Sequence, residues 1–147
     1  MTHIPSRNEL RALMEQPLGP CISLFLPAYR AGAEVQQNPL RLRNLLREAE
    51  HHLLLNDLPI PQVEALLEPA RELLGDELFW LHPDDGLAIF RSPNLFRTYW
   101  LPDHFKEQAV VTHHFFLKPL LHFLTDDGQF YLLALLSLVG FLEKEKK

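Results

Sequence analysis

Glycine is scarce in this 147-residue chain, six residues against twelve prolines, and cysteine occurs once. The proline-rich balance favours rigid corners over flexible linkers, and glycine is too sparse for a loop that cradles phosphate with its backbone. A single cysteine, Cys21, excludes an intramolecular disulfide and gives secretion no support; inside an apolar run it reads as a buried structural thiol. Long apolar runs are lacking too. The most apolar stretch, "FYLLALLSLVGFL" from Phe130 to Leu142, falls short of the ~20 residues needed to span a bilayer. The start, "MTHIPSRNEL", has no apolar core of signal-peptide length, so the chain is expected to be cytoplasmic with no membrane partner. Excess positive charge is also missing: a net charge of −5 argues against a protein that coats nucleic acid non-specifically, while leaving room for a local basic patch.

Several chemical signatures are absent as well. No nucleophile elbow, Walker loop, dinucleotide fingerprint or spaced zinc signature occurs. The eight histidines include two adjacent pairs, His51-His52 and His113-His114. Neighbours on a helix or strand point in different directions, so neither pair can build a site on one face. No cofactor and no metal are expected. Asp84-Asp85 and Asp126-Asp127 both precede glycine and read as turn formers before catalytic carboxylates. Trp80 and Trp100 read as core packing.

What is present is the composition of one folded domain, 47% hydrophobic and 22% charged. Ser6 followed by Glu9 is a capping box opening a short helix with Leu10, Leu13 and Met14 as its apolar stripe. "CISLFLP" reads as a central strand, apolar on both faces and closed by Pro27. After a polar excursion, Asn38-Pro39 reads as an N-cap and first helical residue, and Leu42, Leu45, Leu46, Ala49 and Leu53 form the buried stripe that follows. A second helix carries Val63, Leu66, Leu67, Ala70, Leu73 and Leu74 and stops at Gly75; Pro69 inside it predicts a kink or two short helices.

From Glu77 the pattern turns to aromatic and β-branched runs split by "HPDDG" and "SPN". Strands are expected near Leu87–Arg91 and Leu95–Leu101 as a hairpin, over "AVVTHHFFL", and over "QFYLLALLSLV", with "KPLLHFL" a short helix or bend. The class is therefore α+β: a mixed β-sheet of about five strands with three to four helices packed against it.

One local rule is broken. Arg30, Arg41, Arg43 and Arg47 gather around the start of the Asn38 helix, where free N–H groups already favour an anion and cations are unhelpful to the dipole. Such breaks tend to mark function. They make these four arginines the candidate RNA- or anion-binding residues. The competing reading is a solvated face paired to Glu34, Glu48 and Glu50, with Arg47 and Glu50 close enough to pair.

Taken in order, "SLFLPAYR", "QQNPLRLRNLLREAE", "LFWLHPDDGLAIF" and "FFLKPLLHFLTDDGQFYLLAL" resemble the bacterial branch of the archaeo-eukaryotic release factor family over nearly the whole chain. The family's fuller members carry an N-terminal, a middle and a ribosomal-protein-like C-terminal domain and are related to peptide-release and ribosome-rescue factors. The resemblance implies that this chain is the N-terminal domain alone, ending shortly after "FYLLALL". It implies no release catalysis, because the only Gly-Gln is Gly128-Gln129 in a turn, and not the Gly-Gly-Gln loop that peptide release requires.

Three functional readings follow. The first is a non-catalytic binding module that contacts the ribosome or structured RNA through the four arginines. The second is a self-associating structural domain, a homodimer formed through the apolar C-terminal strand, Gln129 to Leu142. The third is a small metal-dependent hydrolase, which would need a pocket collecting His113, Asp126 and another histidine.

Overall fold

The chain is seen in a computed structural model that describes residues 3–15 and 19–124. Its helices are α1 (Arg7–Met14), α2 (Asn38–Leu55), α3 (Ile60–Glu72) and α4 (Glu77–Leu81). Its strands are β1 (Cys21–Pro27), β2 (Gly86–Ser92), β3 (Leu95–Leu101) and β4 (Gln108–Thr112). The four strands form one sheet in the order β3-β2-β1-β4. Every pairing is antiparallel, so among the described residues the sheet is not mixed. The α+β class stands. A fifth strand, expected over "QFYLLALLSLV", lies outside the described residues, as does the Asp126-Asp127-Gly128 turn.

Both faces of β1 are covered, as its sequence predicts. Cys21 and Phe25 join Leu10 and Leu13 of α1, Ala88, Phe90 and Tyr99 of the sheet, Leu117, and Leu120 and Leu121 from the 3-10 segment Lys118–Leu124. Ile22, Leu24 and Leu26 face the other way, onto Leu42, Leu45, Leu46, Ala49 and Leu53 of α2 and Val63, Leu66, Leu67 and Ala70 of α3. Burying a side chain of this size contributes roughly 1.5–3 kcal/mol. The alternation along one seven-residue strand therefore holds the helical layers together from the middle.

Three features depart from the expected local structure, each for a visible reason. The strand over "AVVTHHFFL" stops at Thr112, because the Thr112 hydroxyl donates to the His114 carbonyl (2.7 Å) and accepts from the His114 N–H (3.2 Å), folding the chain back. The Phe116 N–H then meets the buried Ser23 hydroxyl at 2.9 Å. Residues Glu77–Leu81, expected among strand-type runs, form α4. The Asp76 carboxylate accepts from the Phe79 N–H at 3.1 Å and caps it.

The third departure is α3, which runs through Pro69 as a single helix. Proline has no N–H, so the carbonyl four residues back, that of Ala65, loses its helical partner. Arg91 on β2 supplies one: its Nη2 donates to Ala65 O at 3.1 Å and its Nε to Leu66 O at 2.9 Å. Elsewhere Arg71 pairs with Glu50 of α2 and, at 2.5 Å, with Glu64, tying α3 to α2. At the sheet's other end Gly86 is required by close approach, since a Cβ there would lie 2.7 Å from the Phe105 ring.

The capping box of α1 is present, with Glu9 N–H to Ser6 Oγ at 3.1 Å and Ser6 N–H to Glu9 Oε1 at 3.2 Å. Glu9 also accepts from the buried Tyr99 hydroxyl at 2.9 Å, which docks α1 on the sheet. Burial alone would raise the pKa of Glu9. The hydrogen bonds from the Ser6 backbone, Tyr99 and the Ser6 side chain, with His3 beside them, outweigh it and hold the carboxyl below its usual range. Burial, and then the bond to Glu9, push the Tyr99 phenol up.

Two outcomes are expected. Arg91→Met lowers stability in urea unfolding by about 1–3 kcal/mol through the orphaned Ala65 carbonyl. The loss shrinks measurably in a Pro69→Ala background, where the helix satisfies that carbonyl itself. For Glu9, a folded-state pKa below the unfolded value makes its stabilisation fully present above the unfolded pKa of ~4.3 and lost as pH falls through the folded one. Tyr99→Phe therefore costs about 1 kcal/mol at neutral pH, and the gap to wild type narrows in unfolding curves measured below pH 4.

Candidate functional site

The four arginines surround one corner, built from the end of β1, the start of α2 and the turn before β2. Past Pro27 the strand pairing persists for one more residue, with the Ala28 N–H donating to Asp85 O at 2.8 Å. Tyr29 then finds a side chain in place of a strand. Its N–H donates to Asn38 Oδ1 at 3.1 Å, and its carbonyl accepts from Asn38 Nδ2 at 3.0 Å. Asn38 is fully buried and has helical backbone angles. It is thus the first residue of α2 and not its N-cap; its amide serves the loop instead.

The excursion before α2 is not structureless either. Gly32, at φ +86°, turns the chain in the left-handed region that favours glycine. A 3-10 helix, Ala33–Gln37, then leads directly into α2, and the Asn38 N–H donates to Val35 O. The start of α2 is therefore continuous with a preceding helical turn, and its first N–H groups are not left open to an anion as the sequence reading expects.

The arginines separate into two kinds. Arg41 is only 19% exposed at its side chain and is tied inward. It meets Glu34 at 2.6 Å and Asn38 Oδ1 at 3.2 Å, and its guanidinium carbon lies 4.7 Å from the centre of the Tyr29 ring. Arg30 binds Asp84, whose side chain is 3% exposed, and reaches Asp85 at 3.2 Å. These two cations have their counter-charges. The Asp84-Asp85 turn before Gly86 does double duty: Asp84 Oδ1 also accepts the Asp85 N–H at 2.8 Å.

Arg43 and Arg47 are different. Both are exposed, one helical turn apart on the face of α2 turned away from its buried stripe. Neither has an ion-pair or hydrogen-bond partner among the described residues. Of the acids expected to neutralise them, Glu34 is held by Arg41 and Glu50 by Arg71 in place of Arg47, while Glu48 lies 3.8 Å from His52, a contact that is ionic only when the imidazole is protonated. At ~100° per residue, Arg41 sits about 160° around the helix from Arg43. The four do not make one patch. They make two structural braces and an outward pair, with exposed His51 one turn beyond Arg47.

Other candidate groups have structural settings. Cys21 is buried, and burial pushes its thiol up to about 11, away from thiolate chemistry. Trp80 and Trp100 are half-buried and pack with Phe79, ring centres 5.0–5.8 Å apart, fastening α4 to β3. Among the described residues no three His, Cys, Asp or Glu side chains are grouped to hold a metal ion, and no helix is long and apolar enough to cross a membrane. Asp126 of the hydrolase reading lies outside the described residues. Sequence reasoning missed the Arg30–Asp84 pair, whose members are 54 positions apart, and the groove beside α4 described below. The Asp76-to-Phe79 cap spacing was the available signal for α4.

The chain matches no protein-family model and no curated sequence.

Because Asn38 satisfies two backbone groups from a buried position, Asn38→Ala is expected to cost about 2–4 kcal/mol in chemical denaturation. Arg43→Ala and Arg47→Ala, on the open face, each stay within about 0.5 kcal/mol of wild type in the same measurement.

Proposed function

We propose that this chain is a cytoplasmic, non-catalytic binding module, akin to the N-terminal domain of release-factor and ribosome-rescue proteins, that contacts structured RNA of the ribosome through the outward face of α2. The observation that carries the reading is the outward pair itself: Arg43 and Arg47, exposed and without counter-charge among the described residues, in line with His51. At 1.5 Å rise per residue the successive side chains are spaced by about 6 Å along the helix axis, a row that can follow a chain of phosphates. Arg41 braces the start of this helix, Arg30 fastens the loop before it to the Asp84-Asp85 turn, and neither is a phosphate ligand in this reading. The bracing they provide keeps the start of α2 in one place, which a contact row needs.

A second reading is homodimerisation by strand addition; the strand expected to carry it, Gln129 to Leu142, lies outside the described residues, and one observation elsewhere favours it. Strand β4 is hydrogen-bonded on one side only among the described strands, which leaves an edge that a second strand can extend.

The test uses the full chain against ribosomes and structured ribosomal RNA at ~50 mM salt, with light scattering on the same preparation. Binding is expected, falling steeply towards ~200 mM salt. The Arg43→Ala/Arg47→Ala variant is expected to bind more weakly, with the salt slope reduced by about 2. No binding at the lower salt, or a double variant that binds as tightly as wild type, removes the RNA reading. A strict monomer at high concentration removes the dimer.

A further inference from the structure

The start of α2 borders a second feature that the arginine row does not use. Val35 and Pro39, Leu74 and Gly75 of the turn after α3, and Glu77, Trp80 and Leu81 of the α4 segment line an open groove of about 420 Å³. That size falls within the range of natural ligand sites. Beside it Leu78 is 81% exposed and Leu81 60%. Three positions apart on α4, these leucines share one side of the helix, while Phe79 and Trp80 pack towards Trp100. Grouped exposed apolar side chains around a groove mark a contact surface, unlike scattered ones.

The rim is acidic. From Glu72 to Asp85 the chain carries Glu72, Asp76, Glu77, Asp84 and Asp85 with no lysine or arginine. Arg30 neutralises the last two, and Asp76 caps α4. Glu72 and Glu77 are exposed and have no cationic partner among the described residues, and Glu77 lines the groove. Among the described residues the groove walls are helices and 3-10 turns with no strand edge, so the fitting mode of recognition is a helix laid in a groove, not an added strand.

We infer that this groove receives a basic amphipathic helix of a partner protein, with apolar anchors seated against Leu74, Trp80 and Leu81 and with lysine or arginine side chains meeting Glu72 and Glu77. The surface is separate from the Arg43–Arg47 row and the two readings stand independently. A second copy of this chain is the competing occupant, since α2 also exposes Leu54 and Leu55 beyond its arginines.

Trp80 and Trp100 are the only tryptophans, so the full chain carrying Trp100→Phe reports on the groove through Trp80. The probe is a Leu/Lys amphipathic helix of roughly 18 residues, a length that presents one continuous apolar face, with a Leu/Glu helix as control. A saturable blue shift of Trp80 emission with the Leu/Lys helix and none with the Leu/Glu helix is expected. Leu78→Ser/Leu81→Ser weakens binding about tenfold or more, and Glu72→Lys/Glu77→Lys removes the charge preference. Calorimetry on wild type repeats the titration without the tryptophan change. No saturable response, an equal response to both helices, or unaltered affinity in the Leu78→Ser/Leu81→Ser chain overturns the inference. Sedimentation showing wild-type self-association that the leucine variant abolishes assigns the groove to a second copy and overturns it too.

Discussion

The Asn38 carboxamide holds both backbone hydrogen-bonding groups of Tyr29 from a fully buried position, and the arrangement of the whole corner follows from that contact. Where β1 loses its strand neighbours, a side chain takes over their pattern, so the backbone beyond Pro27 stays paired as it leaves the sheet. Because Asn38 is also the first residue of α2, the same amide sets the distance between the strand end and the helix start. Arg41 adds to the clasp through Asn38 Oδ1 and packs over the Tyr29 ring. The energies explain which contacts matter: an exposed ion pair contributes at most about 1 kcal/mol, whereas leaving a buried backbone group without a partner costs about 1–3 kcal/mol.

Much of the architecture could be read in advance because it depends on neighbours in sequence. The Ser6–Glu9 box, the doubly apolar β1, the α2 stripe and the Gly86–Leu101 hairpin all follow from spacing over a few residues. The departures come from partners far away. Pro69 reads locally as a break, and Arg91 on another element removes the reason for one. Arg30 reads as a solvated cation until Asp84 is placed against it. Asn38 reads as a cap because the alternative use of its amide lies nine positions upstream. The α4 residues carry aromatic side chains that suit a strand equally well, and only their packing against Trp100 decides.

Charge on this molecule is sorted by location more than by amount. A modest net charge of −5 conceals two local surfaces of opposite sign, each made by withholding counter-ions. Along the middle of α2, Glu34 and Glu50 are held by Arg41 and Arg71, and Arg43 and Arg47 have no ion-pair partner among the described residues. Around α4 the segment from Glu72 to Asp85 has no lysine or arginine of its own, and Arg30 reaches only its far end. Electrostatic surfaces of this kind influence which partners approach and how fast, more than they influence folding.

The grip of Arg91 on α3 also bears on how the molecule breathes. Two helical carbonyls are held by a residue that belongs to the sheet, so the middle turns of α3 cannot open without releasing a guanidinium from β2. Amide protons of those turns should therefore exchange with solvent on the same clock as the neighbouring strand, making helix and strand one cooperative opening unit instead of two.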